Sequence, residues 1–268
     1  VDYSTDVQKG DLVMISAQSF EARDLVKAIY KRVLEKGANP IVKVSLGDLS
    51  EVFLKNATDE QLDYIDPITK LEYETVDKFI SLGAPLNTKN MARADLSKLA
   101  RRGKATKQLS EKLMKRSAEG TAKWVIADVP TNALAQEAKM SLYEYAEFLF
   151  KSCYLDLDDP VAKLKELDKK QTEWANYLNG VKLLRITGEK TDITFNVEGR
   201  KWISCSGLNN YPDGEVFTSP VEDGINGEIY FDYPQNYRGN SAKGVHLWIE
   251  NGLVVKAEAE QGEEFLNA

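Results

Sequence analysis

Ala22, Leu25, Val26, Ile29, Val33 and Leu34 recur at a spacing of three to four residues, which predicts one apolar helical face. Residues 11–16 (DLVMIS), just before them, form a short apolar run that reads as a buried strand. Gly37 follows the helical pattern, where a backbone leaving a helix turns left-handed. Pro40 then leads into a second strand-like run, residues 41–46 (IVKVSL). Strand, helix and strand in so short a span make a βαβ unit and predict a parallel sheet. The alternation continues. Helices are expected over residues 71–82, stopping at Gly83, and over 105–118, stopping near Gly120, with a strand at 124–128 (WVIAD). Ser141 and Glu144 form an S-x-x-E capping box that opens a helix through Phe150. Asp159 before Pro160 is a cap followed by proline at the first helical position, and that helix is expected to reach Leu178.

Near Gly180 the period changes to that of strands. Residues 181–187, 191–197 and 201–205 are short β-rich runs broken by Gly188 and Gly199. Residues 245–250 and 253–259 flank Asn251-Gly252, a strong hairpin signal because both turn residues must take positive φ. The expected fold class is therefore α/β. An N-terminal α/β/α domain with a mostly parallel sheet, residues 1–178, precedes a β-rich (α+β) partial C-terminal domain, residues 179–268.

Charge changes at the same place. Residues 181–268 carry 8 basic and 14 acidic side chains, net −6, which leaves −1 for the rest of a chain whose total is −7. An acidic balance argues against nucleic acid as the main partner. With 43% apolar and 29% charged residues the composition is globular, and no window has the length and apolarity of a membrane span. One histidine, His246, and two cysteines, Cys153 and Cys205, exclude a His-rich zinc site, H-E-x-x-H and a Cys₄ ribbon. The two cysteines read as buried thiols of a reducing compartment. The chain begins at Val1 with no signal-peptide pattern and stops just after Phe265 and Leu266, so it is expected to be a piece of a longer protein.

Candidate chemistry is sparse. The loop after the first strand, Ser16-Ala17-Gln18-Ser19-Phe20, has no glycine, and no phosphate-loop motif exists elsewhere, so nucleotide binding by those devices is not expected. Residues 89–123 hold eleven Lys and Arg against three acids, but no aromatics interleave, and they read as a solvated helix face. Asp156, Asp158 and Asp159 lack the glycine and glutamate of a calcium loop and read as capping plus exposed charge. Cys205 and His246 are a nucleophile and a base in type only; nothing in their spacing joins them. Asp213, Glu215, Glu222 and Asp223 are the carboxylates available to a metal-free acid/base site. The most unusual stretch is residues 206–220 (SGLNNYPDGEVFTSP). Pro-Asp-Gly makes a tight turn and delivers Glu215 to the mouth of a short β run. A carboxylate held where a rigid turn meets a strand has little freedom, as a metal ligand requires. One carboxylate is still not a metal site, because such a cation needs about four donors.

The N-x-P-x-G-E-V-F-T-S-P pattern, Asn210 to Pro220, resembles the signature of the metallo-aminopeptidase family that includes aminopeptidase T, aminopeptidase S and PepS. Val7-Gln8-Lys9-Gly10-Asp11, Met140-Ser141, Gly227-Glu228-Ile229-Tyr230-Phe231-Asp232 and Ala259-Glu260-x-Gly262 resemble it too, in order along the whole chain. The resemblance implies a cytoplasmic, homodimeric exopeptidase that removes N-terminal amino acids from peptides with two divalent metals, zinc or cobalt. It places the first metal ligand at Glu215. The family's later ligands, a second Glu, two His, a Tyr and an Asp, would fall after Ala268, and no role carries over to His246. The resemblance thus implies that this chain alone is inactive and does not retain the metal pair. It assigns no catalytic or substrate-binding residue here. The competing reading is a non-catalytic peptide-binding or dimerisation module.

Overall fold

The alternation seen in the first half folds into a parallel sheet whose inner strands are buried on both faces. A computed structural model describes residues 1–237 and 240–267. The chain divides into two units, Val1–Leu164 with Gly207–Asp213, and Lys165–Ser206 with Gly214–Ala268. In the first unit β1 (Leu12–Ala17) pairs in parallel with β2 (Asn39–Val44) and β3 (Lys78–Gly83), and β3 pairs in parallel with β4 (Lys123–Asp128). A two-residue strand, Asn210–Tyr211, adds in parallel to β4 as the fifth member of the sheet. Successive side chains point to opposite faces. Val13, Ile15 and Ala17 join Ile80, Leu82, Val26 and Val33 in one core, while Met14 joins Phe79, Val76 and Ala122 in another. This is an α/β fold with a parallel sheet.

The helices are α1 (Arg23–Glu35), α2 (Leu49–Asn56), α3 (Asp59–Asp63), α4 (Pro67–Thr75), α5 (Leu96–Ala118), α6 (Asn132–Glu137), α7 (Leu142–Ser152) and α8 (Pro160–Leu178). Gly37 ends α1 at φ +74°. Both hydrogen bonds of the Ser141–Glu144 capping box are formed at α7. The Asp159 carboxylate accepts from Ala162 N at 2.9 Å and caps α8.

One sequence expectation is overturned. The helix expected over residues 71–82 ends at Thr75, and Lys78–Gly83 is the central strand β3. Phe79, Ile80 and Leu82 are buried from both sides, and a continuous apolar run of this length fits a buried strand as well as a helix. α5 is also longer than its pattern suggested, because Asp95 caps it by accepting from Ser97 N and Lys98 N.

The basic residues of α5 are more than a solvated face. Lys98 Nζ donates to Leu54 O (3.0 Å) and Ala57 O (3.1 Å) at the end of α2. Arg102 Nη1 donates to Leu62 O (3.1 Å) and Tyr64 O (2.7 Å) at the end of α3. Arg116 Nη1 donates to Tyr73 O (3.1 Å) and Val76 O (2.7 Å) at the end of α4, and its Nη2 to Thr121 O (3.0 Å). The last carbonyls of a helix have no partner within it and carry partial negative charge, so one cationic helix closes three short ones. Arg101 pairs with Asp59 and Asp63, and Lys112 with Glu74.

The second unit takes α8 from Lys165 onward and is otherwise mostly antiparallel. Its strands are β5 (Leu183–Gly188), β6 (Thr191–Asn196), β7 (Ile203–Cys205), β9 (Glu215–Phe217), β10 (Ile225–Phe231), β11 (Gln235–Tyr237), β12 (Asn240–Glu250) and β13 (Leu253–Gln261); the Asn210–Tyr211 strand of the first unit is β8. The larger sheet runs β11-β12-β10-β6-β5, with β13 also on β12. A short helix, α9 (Glu263–Leu266), follows β13. Asn251 (φ +48°) and Gly252 (φ +77°) make the expected turn between β12 and β13. A Cβ on Gly252 would lie 1.6 Å from Glu222 O, so this position admits only glycine.

Two stability outcomes follow. Arg116→Ala leaves three carbonyls without their charged donor and is expected to lower unfolding free energy by about 2 kcal/mol in urea titration. Gly252→Ala is expected to lower it by at least about 1 kcal/mol, since both the left-handed backbone and the contact with Glu222 oppose a side chain.

Candidate functional site

Glu215 opens β9, which runs antiparallel to β7 in a two-stranded ladder. The register sets Ile203 opposite Phe217, Ser204 opposite Val216 and Cys205 opposite Glu215. β7 is moored to α8. Ser204 Oγ lies 3.2 Å from both Asp168 Oδ1 and Gln171 Oε1 and shares its single proton between them, and Ser206 Oγ donates to Asp168 Oδ1 at 2.8 Å. Gln171 and Ser206 are buried. Asn179 Oδ1 accepts from Trp202 N at 2.9 Å, and Thr218 Oγ1 donates to Lys201 O at 2.8 Å. The backbone that carries Glu215 is therefore tied down, while the Glu215 residue is exposed. That combination suits a ligand to a cation: a fixed backbone with an oxygen donor free to bind.

The residues that lead to Glu215 belong to the first unit and are braced there. Ser4 Oγ donates to Gly207 O at 2.6 Å, and Asp213 Oδ2 accepts from Gly207 N at 3.4 Å. Gly207 has φ +90°, and a Cβ would press within 3.3 Å of Leu164 and Tyr211. Asn209 Nδ2 donates to Trp124 O at 3.1 Å. The Tyr211–Pro212 bond is cis. Tyr211 Oη donates to Cys153 O at 2.5 Å. Burial pushes the Tyr211 phenol up to about 12 and, with the Asp128 carboxylate as a lesser cause, the Cys153 thiol up to about 11.

Other candidates resolve into structural duties. Cys205 sits in the two-stranded ladder opposite Glu215, and His246 sits in β12 of the larger sheet. His246 Nε2 lies 3.0 Å from Glu228 Oε2, and its ring packs 3.8 Å from that of Trp248 and edge-on to Tyr230. Glu222 and Asp223 abut the Asn251–Gly252 turn. Asp156 and Asp158 are exposed beside the capping Asp159. In the loop after β1, Ser19 Oγ accepts from Glu21 N and donates to Ala84 O, which occupies it locally. Cys205, which spacing alone did not attach to Glu215, is the residue that sequence reasoning missed. The signal was present in two short β runs flanking a turn, and only pairing register aligns them.

The thermophilic metalloprotease (M29) family matches residues 1–268, and the chain belongs to that family. It is 28% identical over 289 residues to aminopeptidase 2 of Geobacillus stearothermophilus, covering 99% of this chain and 69% of that protein. It is 26% identical over 288 residues to aminopeptidase AmpS of Bacillus subtilis (strain 168), covering 99% and 70%. The solved structure of wild-type AmpT from Thermus thermophilus superposes with a TM-score of 0.79 at 22% identity, covering 100% of this chain and 71% of that one, which shows a shared fold. No helix among the described residues is long and apolar enough to cross a membrane.

The raised Tyr211 and Cys153 pKa values set an alkaline limit. An unfolded thiol ionises from about 9 and an unfolded phenol from about 10, whereas the folded groups hold their protons to about 11 and about 12. The unfolded state thus binds fewer protons across this window, and stability is expected to fall as pH rises from about 9 to about 12. Urea midpoints at pH 8, 9.5 and 10.5 check this. Tyr211→Phe removes the phenol's share and is expected to flatten the upper part of the decline.

Proposed function

We propose that this chain is the larger part of a metal-dependent aminopeptidase that releases N-terminal amino acids from peptides. The observation that carries the reading is Glu215 at the head of β9, within the Asn210–Pro220 pattern, in a chain matched by the M29 family from end to end. The relatives' names, aminopeptidase 2 and aminopeptidase AmpS, support the exopeptidase assignment. The fuller reading is a cytoplasmic homodimer using two divalent ions, zinc or cobalt. Residues 1–178 would form its N-terminal α/β domain and residues 179–268 the first part of its catalytic domain.

In this reading Glu215 holds one metal. A bound ion of this kind polarises a peptide carbonyl and brings the pKa of a bound water toward neutrality. The chain's own part is positional. Asp168 and Gln171 hold β7 through Ser204, β7 aligns β9, and the ladder fixes where the Glu215 carboxylate starts. Cys205 faces it with a sulfur donor that suits zinc or cobalt better than magnesium. A carboxylate and a facing thiol fit one corner of such a centre, but a pair on its own falls short of the four or so donors a divalent ion takes. No catalytic step is therefore derived from this chain alone.

Two outcomes test the reading. The 268-residue chain, dialysed and reconstituted with zinc or cobalt, is expected to leave a leucine-anilide substrate uncleaved; turnover at an ordinary enzymatic rate removes the claim that further ligands are needed. In the full-length enzyme, Glu215→Gln is expected to lower metal retained after gel filtration by about tenfold or more, with unchanged far-UV circular dichroism. Unchanged metal content removes Glu215 from the centre.

A further inference from the structure

Side chains alternate along a strand, so the β7–β9 ladder has two unlike faces. Ser204 and Val216 share one, and Asp168 and Gln171 of α8 hold it. Ile203, Cys205, Glu215 and Phe217 share the other. On that face Cys205 stands directly across from Glu215 at one end of the ladder. Ile203 and Phe217 face each other at the opposite end, 43% and 41% exposed. Glu215 is exposed and Cys205 half-buried, so both can be reached from solvent.

The pair has the dimensions of two ligands to one ion. Cys205 Sγ and a Glu215 carboxylate oxygen lie within 4.8 Å of each other. Bonds of about 2.3 Å to sulfur and about 2.0–2.2 Å to oxygen set two donors on a tetrahedral ion about 3.6 Å apart. Rotating the exposed Glu215 side chain is enough to seat both. The backbones need not move, because the strand register already fixes them. The two donors also differ in kind. Carboxylate oxygen takes magnesium and manganese as readily as zinc, whereas thiolate sulfur favours the softer ions. Cys153 offers no such pairing: it is buried in the first unit, and burial holds its thiol protonated to about 11.

We propose that Cys205 is a second donor to the ion held at Glu215, and that its sulfur turns this corner of the centre toward zinc, cobalt or cadmium and away from magnesium and manganese. On binding, the thiol gives its proton to water and a sulfur lone pair forms the bond to the ion. The inference rests on the reading of Glu215 as a metal ligand; what it adds is the sulfur and the selectivity that sulfur confers.

The test uses the chelator-treated 268-residue chain under argon and reads the metal rather than turnover. Two donors bind an ion weakly, so binding is followed at equilibrium. Cobalt(II) is expected to bring up a thiolate-to-cobalt charge-transfer band in the near ultraviolet. Cys205→Ser is expected to abolish the band, and Glu215→Gln to weaken the apparent affinity about tenfold. Zinc is expected to displace the cobalt, and magnesium in about tenfold excess to leave the band in place. A second measurement needs no substitution. Zinc is expected to slow alkylation of Cys205 by iodoacetamide about tenfold, read by peptide mass spectrometry with Cys153 as the reference thiol, and magnesium to leave it unchanged. Absence of the band, or its survival in Cys205→Ser, overturns the proposal. A band lost in Cys205→Ser but unaffected by Glu215→Gln is a thiol binding alone and overturns the pairing. Equal protection by zinc and magnesium overturns the selectivity. Failure of the metal-site reading shows separately, in the metal content of the full-length Glu215→Gln enzyme.

Discussion

A backbone carbonyl or amide taken out of water must find a partner, and much of this structure is arranged around that requirement. The first unit is built with three consecutive short helices, α2 to α4, and each ends in carbonyls that the helix cannot satisfy. Lys98, Arg102 and Arg116 supply the donors. They lie four and fourteen residues apart, close to whole numbers of turns, so one side of α5 reaches all three helix ends. Short helices of low intrinsic stability are thereby held by a neighbour rather than by their own propensity. In the second unit the same need is met by side chains. Ser204 and Ser206 reach Asp168, and Asn179 takes the amide of Trp202, so a three-residue strand that could not stand alone is secured to a long helix.

Much of the fold was legible where a local chemical rule acts alone. The Ser141–Glu144 box, the Asp159-Pro160 start, Gly37 and the Asn251-Gly252 turn all occur as expected, because caps and left-handed turns depend on few residues close in sequence. Legibility failed where tertiary context decides. FISL, residues 79–82, is apolar throughout, and only its place between β1 and β4 makes it a strand. α2 and α3 left little signal, since helices of eight and five residues carry barely one or two turns of periodicity. The basic run of α5 looked solvated because its partners are backbone carbonyls, which are invisible in a list of side chains.

For the candidate site, the sequence made Glu215 conspicuous through the rigidity of Pro-Asp-Gly and the family pattern around it. It could not supply Cys205 as the facing residue, because a register between two three-residue strands is set by anchors as far off as Asp168 and Gln171.

The turn that joins β12 to β13 also bears on how the molecule ages. An asparagine followed by glycine cyclises readily when the glycine amide attacks the asparagine side chain and expels ammonia, and water then opens the imide to aspartate or isoaspartate. Here Gly252 N is committed to Ile225 O at 2.9 Å, and Asn226 Oδ1 accepts from the Asn251 amide at 2.8 Å. The nucleophile is withheld for as long as the sheet stays closed. Deamidation at this one site therefore acts as a chemical clock that runs only while the hairpin is open.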